Sequence, residues 1–198
     1  SGILDVKTVT EDSIARAKSV NQDLNAIVAE DFDSALNRSQ GTFSGMFNGV
    51  PTFIKDTDEV QGLPLFLGIS TLPGEKSTKT SRAAKQILDT GLNCLGTTTT
   101  PEFGLTGTTE SKRFGSTCNP WNTAYSTGGS SGGSSAMVAA GVIPIAHAND
   151  GAGSIRIPAS CCGLVGMKAS RGRIKDKEVP GYLPANILHD GVVTRTVR

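Results

Sequence analysis

Residues 125–166 read YSTGGSSGGSSAMVAAGVIPIAHANDGAGSIRIPASCCGLVG, and the parsing of this stretch decides the fold class. Two glycine-dense turns that carry serine, Gly128-Gly129-Ser130-Ser131-Gly132-Gly133 and Asp150-Gly151-Ala152-Gly153-Ser154, enclose a small-residue run from Ser134 to Ala140 and an apolar run from Val142 to Ala146. The small residues predict a helix that packs very close to whatever lies beneath it. The apolar run predicts a buried strand, with Pro144 near its start or at an edge, because proline cannot donate to a ladder. A strand ending in Asp150 and a glycine turn is the α/β layout in which sites sit at strand ends. Glycine takes φ > 0 and lets a backbone approach a ligand, so successive N–H groups in such a turn can converge on one developing negative charge.

Working outward, the upstream chain alternates helix and strand signals. Thr8 and Glu11 have capping-box spacing ahead of a helix carrying Ile14, Ala17 and Lys18. A strand is expected over Leu24 to Ala29, then a helix through Ala35 and Leu36. The turn Phe47 to Pro51 leads into the β-prone Thr52-Phe53-Ile54, which delivers Lys55 and Asp56 at its end. Residues 57–78 read as loop. A helix from Ser81 to Thr90 has Gly91 where its C-terminal cap should be, followed by a strand from Leu92 to Gly96 and a loop from Thr97 to Gly107. Thr123-Ala124-Tyr125 is a poor strand. Downstream, Leu164 to Lys168 and Val192 to Val197 are the remaining element signals.

Composition narrows the function classes. The chain has 198 residues, 37% of them hydrophobic, which suits one ordinary domain with a real core. Nineteen Lys and Arg against 18 acidic residues give no field for nucleic acid or an anionic membrane. No apolar run reaches the roughly 18 residues of a membrane span, and residues 1–20 lack a signal-peptide core. Cys94, Cys118, Cys161 and Cys162 form no C-x-x-C pair and have no histidine at ligand spacing. Neither a zinc site nor a disulfide framework is therefore expected, and reduced thiols suit a cytoplasmic protein.

Serine chemistry needs a base, and two kinds are available. Histidine is the usual one, and Gly128-x-Ser130-x-Gly132 matches the nucleophile elbow of Ser-His-Asp α/β-hydrolases, with Asp150 or Asp176 and His189 as partners. That elbow should follow a strong strand. The other base is a lysine held neutral by burial. Lys55 is the candidate, since it ends the apolar run Val50 to Ile54. Taken alone, Lys55 reads more readily as a surface lysine at a strand end paired to Asp56, since most lysines are exposed.

The surrounding motifs bear on that choice. Gly49-Val50-Pro51-Thr52-Phe53-Ile54-Lys55-Asp56, Gly96-Thr97-Thr98-Thr99-Thr100-Pro101-Glu102-Phe103-Gly104, Phe114-Gly115-Ser116-Thr117-Cys118-Asn119-Pro120-Trp121, Gly128 to Gly133, and Asp150-Gly151-Ala152-Gly153-Ser154-Ile155-Arg156-Ile157-Pro158-Ala159 occur in the order of the amidase signature family. The chain resembles that family from about Leu24 to Arg198. The resemblance implies an α/β fold with a mixed β-sheet flanked by helices, and hydrolysis of carbon–nitrogen bonds in small-molecule amides without a cofactor. It implies Ser154 as the acylated nucleophile, Ser130 as proton relay after a cis Gly129-Ser130 bond, and Lys55 as base. The backbone N–H groups of Gly151, Ala152, Gly153 and Ser154 would hold the oxyanion, and Thr127, Gly128 and Gly129 would meet substrate through their backbone.

Other residues near these motifs carry plainer expectations. Ser131 and Ser134 read as helix caps, Asp150 and Arg156 as a pair bracing the oxyanion turn, and Cys161 and Cys162 as packing residues. Trp121 reads as a packed loop corner or a pocket wall. Ala152 stands where many relatives have glycine, so a positive φ there would bring strain of about 1 kcal/mol. His147-Ala148-Asn149-Asp150 with Ala152 is most similar to the subgroup that opens nylon-oligomer cyclic amides.

Family domains are more than twice this length, so residues 1–198 are expected to be the N-terminal part of one such domain, incomplete in this chain. A complementary C-terminal chain or a homo-oligomer is then a possible partner. The competing reading is a catalytically incomplete fragment that acts as a binding module. An amidotransferase role with tRNA contacts has no support in the near-neutral charge.

Overall fold

Asp5 starts the first helix in the computed structural model, which describes residues 4–170, 172–174 and 187–197. Its carboxylate accepts the Thr8 N–H at 2.9 Å and the Thr8 hydroxyl at 2.7 Å. The cap of α1 (Val6–Leu24) is thus Asp5 and not the Thr8–Glu11 box, because Thr8 lies inside the first turn and donates to Asp5. The helix ends on Asn25 in the left-handed region, φ 50°. The Asn21 side chain then accepts the Ala26 and Ile27 N–H groups at 2.8 and 3.1 Å and turns the chain into β1 (Ile27–Glu30).

Next come α2 (Phe32–Ser39), β2 (Pro51–Lys55), α3 (Arg82–Leu88) and β3 (Asn93–Thr98). Helix α3 is capped by Ser81, whose hydroxyl accepts the Ala84 N–H. It stops at Leu88 with Asp89 as its C-terminal cap, so Gly91 lies beyond the cap, at φ 94°. A short 3-10 turn, Glu102–Gly104, precedes β4 (Glu110–Ser111), β5 (Gly115–Ser116), β6 (Cys118–Asn119) and β7 (Asn122–Ser126). The chain continues through α4 (Gly132–Ala139), β8 (Ile145–Asp150), α5 (Arg156–Cys162), β9 (Val165–Met167) and β10 (His189–Thr194).

Helices and mixed sheet are present, with the main strands grouped as two three-stranded sheets, β1-β3-β2 and β8-β10-β9, plus the ribbons β4-β5 and β6-β7. β2 runs parallel to β3, β1 antiparallel to it, and β10 pairs antiparallel with both β8 and β9. The two larger sheets meet along β2 and β8 through side chains: Thr52 Oγ1 donates to the Ile145 carbonyl at 3.0 Å, and the Lys55 N–H donates to His147 Nδ1 at 3.2 Å. Successive strand residues point to opposite faces, and the core follows that rule. Phe53 and Leu95 join the larger apolar cluster with Met137, Val138, Ile143 and Val193, whereas Ile54 and Cys94 join a smaller one with Val60, Leu63 and Ala84.

Several boundaries differ from expectation. The strand predicted over 142–146 runs from Ile145 to Asp150, because Pro144 cannot donate and the polar residues that follow find partners inside. β3 continues through Thr97 and Thr98 into what reads as loop, since both threonines are buried in the sheet. Thr123-Ala124-Tyr125 does form a strand, although an exposed one in a ribbon of its own. No helix among the described residues is long and apolar enough to cross a membrane. Asp176 lies outside the described residues.

Candidate active site

β2 ends at Lys55, and the side chain is wholly buried between β2, β8 and the turn before α4. Its Nζ donates to Ser130 Oγ at 2.7 Å and to Asn149 Oδ1 at 2.7 Å. Asn149 Nδ2 in turn donates to Thr57 Oγ1 at 2.6 Å. The carboxyl of the neighbouring Asp56 is engaged elsewhere. Asp56 points the other way, where its two oxygens accept the N–H groups of Phe66 at 3.0 Å and Gly68 at 3.3 Å.

Ser130 follows a cis peptide bond from Gly129, as the family resemblance implies. The turn is held by threonines on neighbouring segments. Thr100 Oγ1 donates to the Ser130 carbonyl at 3.1 Å, Thr109 Oγ1 donates to the Gly128 carbonyl at 2.9 Å, and the Gly132 N–H donates to Thr109 Oγ1 at 3.0 Å. Gly128 needs its positive φ of 69°, and a Cβ there would sit 3.0 Å from Cys161 Sγ. Thr127, Gly128 and Gly129 are buried in this scaffold and do not line the cavity described below.

Helix α4 carries no side-chain cap. Ser131 Oγ donates to the Asn149 carbonyl at 3.3 Å, and Ser134 Oγ donates to the His147 carbonyl at 2.7 Å. The expectation of capping roles for both is corrected: their hydroxyls fasten α4 to β8, which the small residues of the helix allow to approach closely.

The second glycine turn presents Ser154. Its carbonyl accepts the Ser131 N–H at 3.3 Å, which ties the two serine turns together. Asp150 braces this turn. Its carboxylate accepts the Gly153 N–H at 2.7 Å and the Ile155 N–H at 3.2 Å, and Arg156 grips both oxygens at 2.8 and 2.9 Å. Burial opposes ionisation of Asp150, but the Arg156 and backbone bonds outweigh it and hold the carboxyl at about 2. Two expectations change here. The Gly153 N–H is committed to Asp150 and so is withdrawn from the oxyanion set. Ala152 is absent from the residues with positive φ, while Gly153 takes φ 126°, so the expected strain at Ala152 does not arise.

Ser130 and Ser154 both line one cavity of about 340 Å³. Its polar side also holds Thr57, Asn149, Gly151 and Ala152, and its apolar side Leu67, Phe103, Leu105, Ile157, Ile187 and Leu188. Proton relay and acyl transfer need a hydroxyl beside a base and a second hydroxyl facing the same space, and the cavity supplies these. In the histidine-based alternative, Ser130 would need an imidazole, but its hydroxyl is engaged by the Lys55 amine. His189 pairs with Asp150 across the strands, while both Asp150 oxygens are taken by Arg156 and backbone N–H groups.

His147 is buried below Lys55. Because its Nδ1 accepts the Lys55 N–H, its proton sits on Nε2, which donates to Asp190 Oδ1 at 3.0 Å and lies 3.8 Å from Asp58 Oδ2. Asp58, His147 and Asp190 thus gather ligating atoms within 4.8 Å of one another. With its second nitrogen protonated and its first accepting, the imidazole has no lone pair to give a metal ion, and hydrogen bonding accounts for the group. Sequence spacing marks none of this except in one respect. His147 and Asn149 are two apart on a strand and share a face, the one turned to Lys55.

The remaining expectations divide. Cys162 is buried, and burial pushes its thiol up to about 12, whereas Cys161 is exposed and is not a packing residue. Trp121 is largely exposed and donates Nε1–H to the Cys162 carbonyl at 2.8 Å, a loop corner rather than part of the Ser130 cavity.

The chain is similar to known proteins in sequence and fold. The family described as Amidase matches residues 8–198. A Mycobacterium tuberculosis protein named as an amidase, AmiC, is 48% identical over the whole of this chain and 42% of its own length. The 6-aminohexanoate-cyclic-dimer hydrolase of Paenarthrobacter ureafaciens is 41% identical, over all of this chain and 41% of its own length. A solved structure of a 6-aminohexanoate cyclic dimer hydrolase with substrate superposes with a TM-score of 0.88 at 39% identity, covering 98% of this chain and 41% of that one. The chain therefore spans about two fifths of the length of these relatives.

Proposed function

The chain belongs to the amidase family, and on that footing we propose that the protein carrying it hydrolyses the carbon–nitrogen bond of a small-molecule amide through Lys55, Ser130 and Ser154. The observation that carries the reading is the 2.7 Å contact of Lys55 Nζ with Ser130 Oγ at the floor of a cavity that Ser154 also lines.

The cycle requires the uncharged amine, the form that removal from water favours. Ser154 gives its hydroxyl proton to Ser130 as Ser130 gives its own to Lys55, and the Ser154 oxygen attacks the amide carbonyl carbon. The oxyanion is held by the N–H groups of Gly151, Ala152 and Ser154. As the carbon–nitrogen bond breaks, Ser130 protonates the departing nitrogen and regains a proton from Lys55. Water then attacks the Ser154 ester, loses its proton along the same path, and releases the acid with Ser154 restored. Each oxyanion donor in such a site contributes about 3 to 4 kcal/mol to catalysis.

Phe103 and Leu105 are 62% and 81% exposed on the apolar side of the cleft. In this proposal a further segment completes that side, either of the same polypeptide or of a complementary chain.

The test is labelling of the complete protein by a serine-directed fluorophosphonate, combined with hydrolysis of neutral amides. Labelling at Ser154, lost in Ser154→Ala and strongly slowed in Lys55→Met, is the expected result. An unlabelled wild-type protein with no amide turnover would instead favour a binding module.

A further inference from the structure

Asp56 is a buried carboxyl beside the proposed base that takes no part in proton transfer. It clasps residues 66–68 by two backbone N–H groups, and the residue between them, Leu67, stands at φ 53°. The Leu67 carbonyl accepts the Phe103 N–H at 2.8 Å, and Phe103 stands at φ 56°. Positive φ is uncommon for residues other than glycine, asparagine and aspartate. Here two bulky residues adopt it in linked positions, and both residues line the cavity. Such backbone strain points toward function when the surroundings hold it in place.

The surroundings do hold it. Gly68 presses so closely on the next segment that a Cβ would lie 2.6 Å from the Thr100 carbonyl oxygen. On the far side Arg113 stacks 3.9 Å from the Phe66 ring and donates to the carbonyls of Ile69, Ser70 and Leu72. A carboxyl group suits the clasp because each of its two oxygens accepts one of the N–H groups.

We propose that Asp56 is a positioning residue that fixes the Leu67–Phe103 wall and so sets which amides the cavity accepts, without touching the Lys55–Ser130 contact. The substrate part of this inference rests on the amide-hydrolase reading, and the structural part does not. In Asp56→Asn one acceptor becomes an NH₂ group facing a backbone N–H, so the clasp loses one bond and gains a repulsive contact.

The experiment compares the complete wild-type protein with Asp56→Asn, Asp56→Glu and Leu67→Gly. The substrates are anilides with acyl groups from acetyl to octanoyl, and a small fluorophosphonate serves as probe. In Asp56→Asn the ratio of kcat/KM between short and long acyl groups should change fivefold or more, mainly through KM, while the labelling rate stays within twofold. Leu67→Gly, which relaxes the strained residue and removes its side chain, should shift the same ratio in a protein that keeps the clasp. An equal loss for every substrate together with slower labelling would overturn the proposal, as would an unchanged ratio.

Hydrogen exchange resolved to single amides supplies the readout independent of catalysis. Phe66, Gly68 and Phe103 should lose protection together in Asp56→Asn and regain part of it in Asp56→Glu. Protection retained at Phe103 would overturn the linkage even if the wild-type protein hydrolysed no amide. Absence of labelling and turnover in the wild type, with the three amides still coupled, would instead sink only the amide-hydrolase reading.

Discussion

Asn149 shares the Lys55 amine with Ser130, with 2.7 Å from Lys55 Nζ to each oxygen. The amine thus meets the hydroxyl of the proposed proton relay and an amide oxygen with no part in the proposed proton transfer. Replacing Asn149 by alanine removes a buried acceptor worth about 1 to 3 kcal/mol. At 1.36 kcal/mol per decade, kcat should fall roughly ten- to hundredfold with little change in KM. Asn149→Asp should behave differently. A carboxylate beside the amine favours its charged form, so activity should return only at higher pH, as the pH profile of kcat/KM would reveal.

Gly133 faces backbone on two sides. A Cβ at that position would lie 2.5 Å from the Thr99 nitrogen and 2.8 Å from the Ala26 carbonyl oxygen, neither of which can rotate away. Gly133→Ala should therefore destabilise the protein by about 1 to 3 kcal/mol, the usual cost of overpacking. Gly107→Ala, where nothing lies within 4 Å, is the control. Thermal unfolding measures both, and equal midpoints would contradict the close approach of α4 to the strand beneath it.

Acid should act through Asp150. Its carboxyl is held at about 2 against an ordinary 3.8, so the unfolded chain binds the proton first. The stability this gives is present above about pH 4 and disappears as pH falls toward 2. Arg156→Met removes two of the bonds responsible, and acid unfolding followed by tryptophan fluorescence should then begin at a higher pH. An unchanged acid midpoint would show that the brace contributes nothing.

Asp56 carries the opposite sign. Burial raises its carboxyl to about 7, against the pull of the Phe66, Gly68 and Leu67 N–H groups and of Arg113. The folded protein therefore holds this proton more tightly than the unfolded chain. The contribution to stability is full below about pH 4 and declines as pH rises through 7. The difference in stability between wild type and Asp56→Asn, taken from denaturant midpoints, should move against the wild type across that interval.

The three side chains proposed to react stand out in the sequence because each belongs to a motif with its own spacing, and the glycine turns mark where the chain bends. Less legible was the polar inner edge of β8. His147, Asn149 and Asp150 look like loop residues by composition, yet all three are buried, because Lys55, Thr57 and Asp190 arrive from distant parts of the chain, and Arg156 from the helix that follows, to satisfy them. The commitment of the Gly153 N–H to Asp150 was equally hidden, since a glycine turn shows how many donors it owns but not where each is aimed. The first helix cap was misplaced for a local reason: Asp5 and Thr8 are both good capping residues, and only the bond direction chooses between them.

The hydroxyls of Ser131 and Ser134 rivet a helix without bulky polar arms to the carbonyls of the neighbouring strand. Sliding α4 would shear both of these bonds at once, which ties one bank of the cleft to the strand. Adaptation to new substrates is then more readily written on the opposite bank, where 66–68 and 102–105 are fastened to Asp56 and to each other rather than to α4.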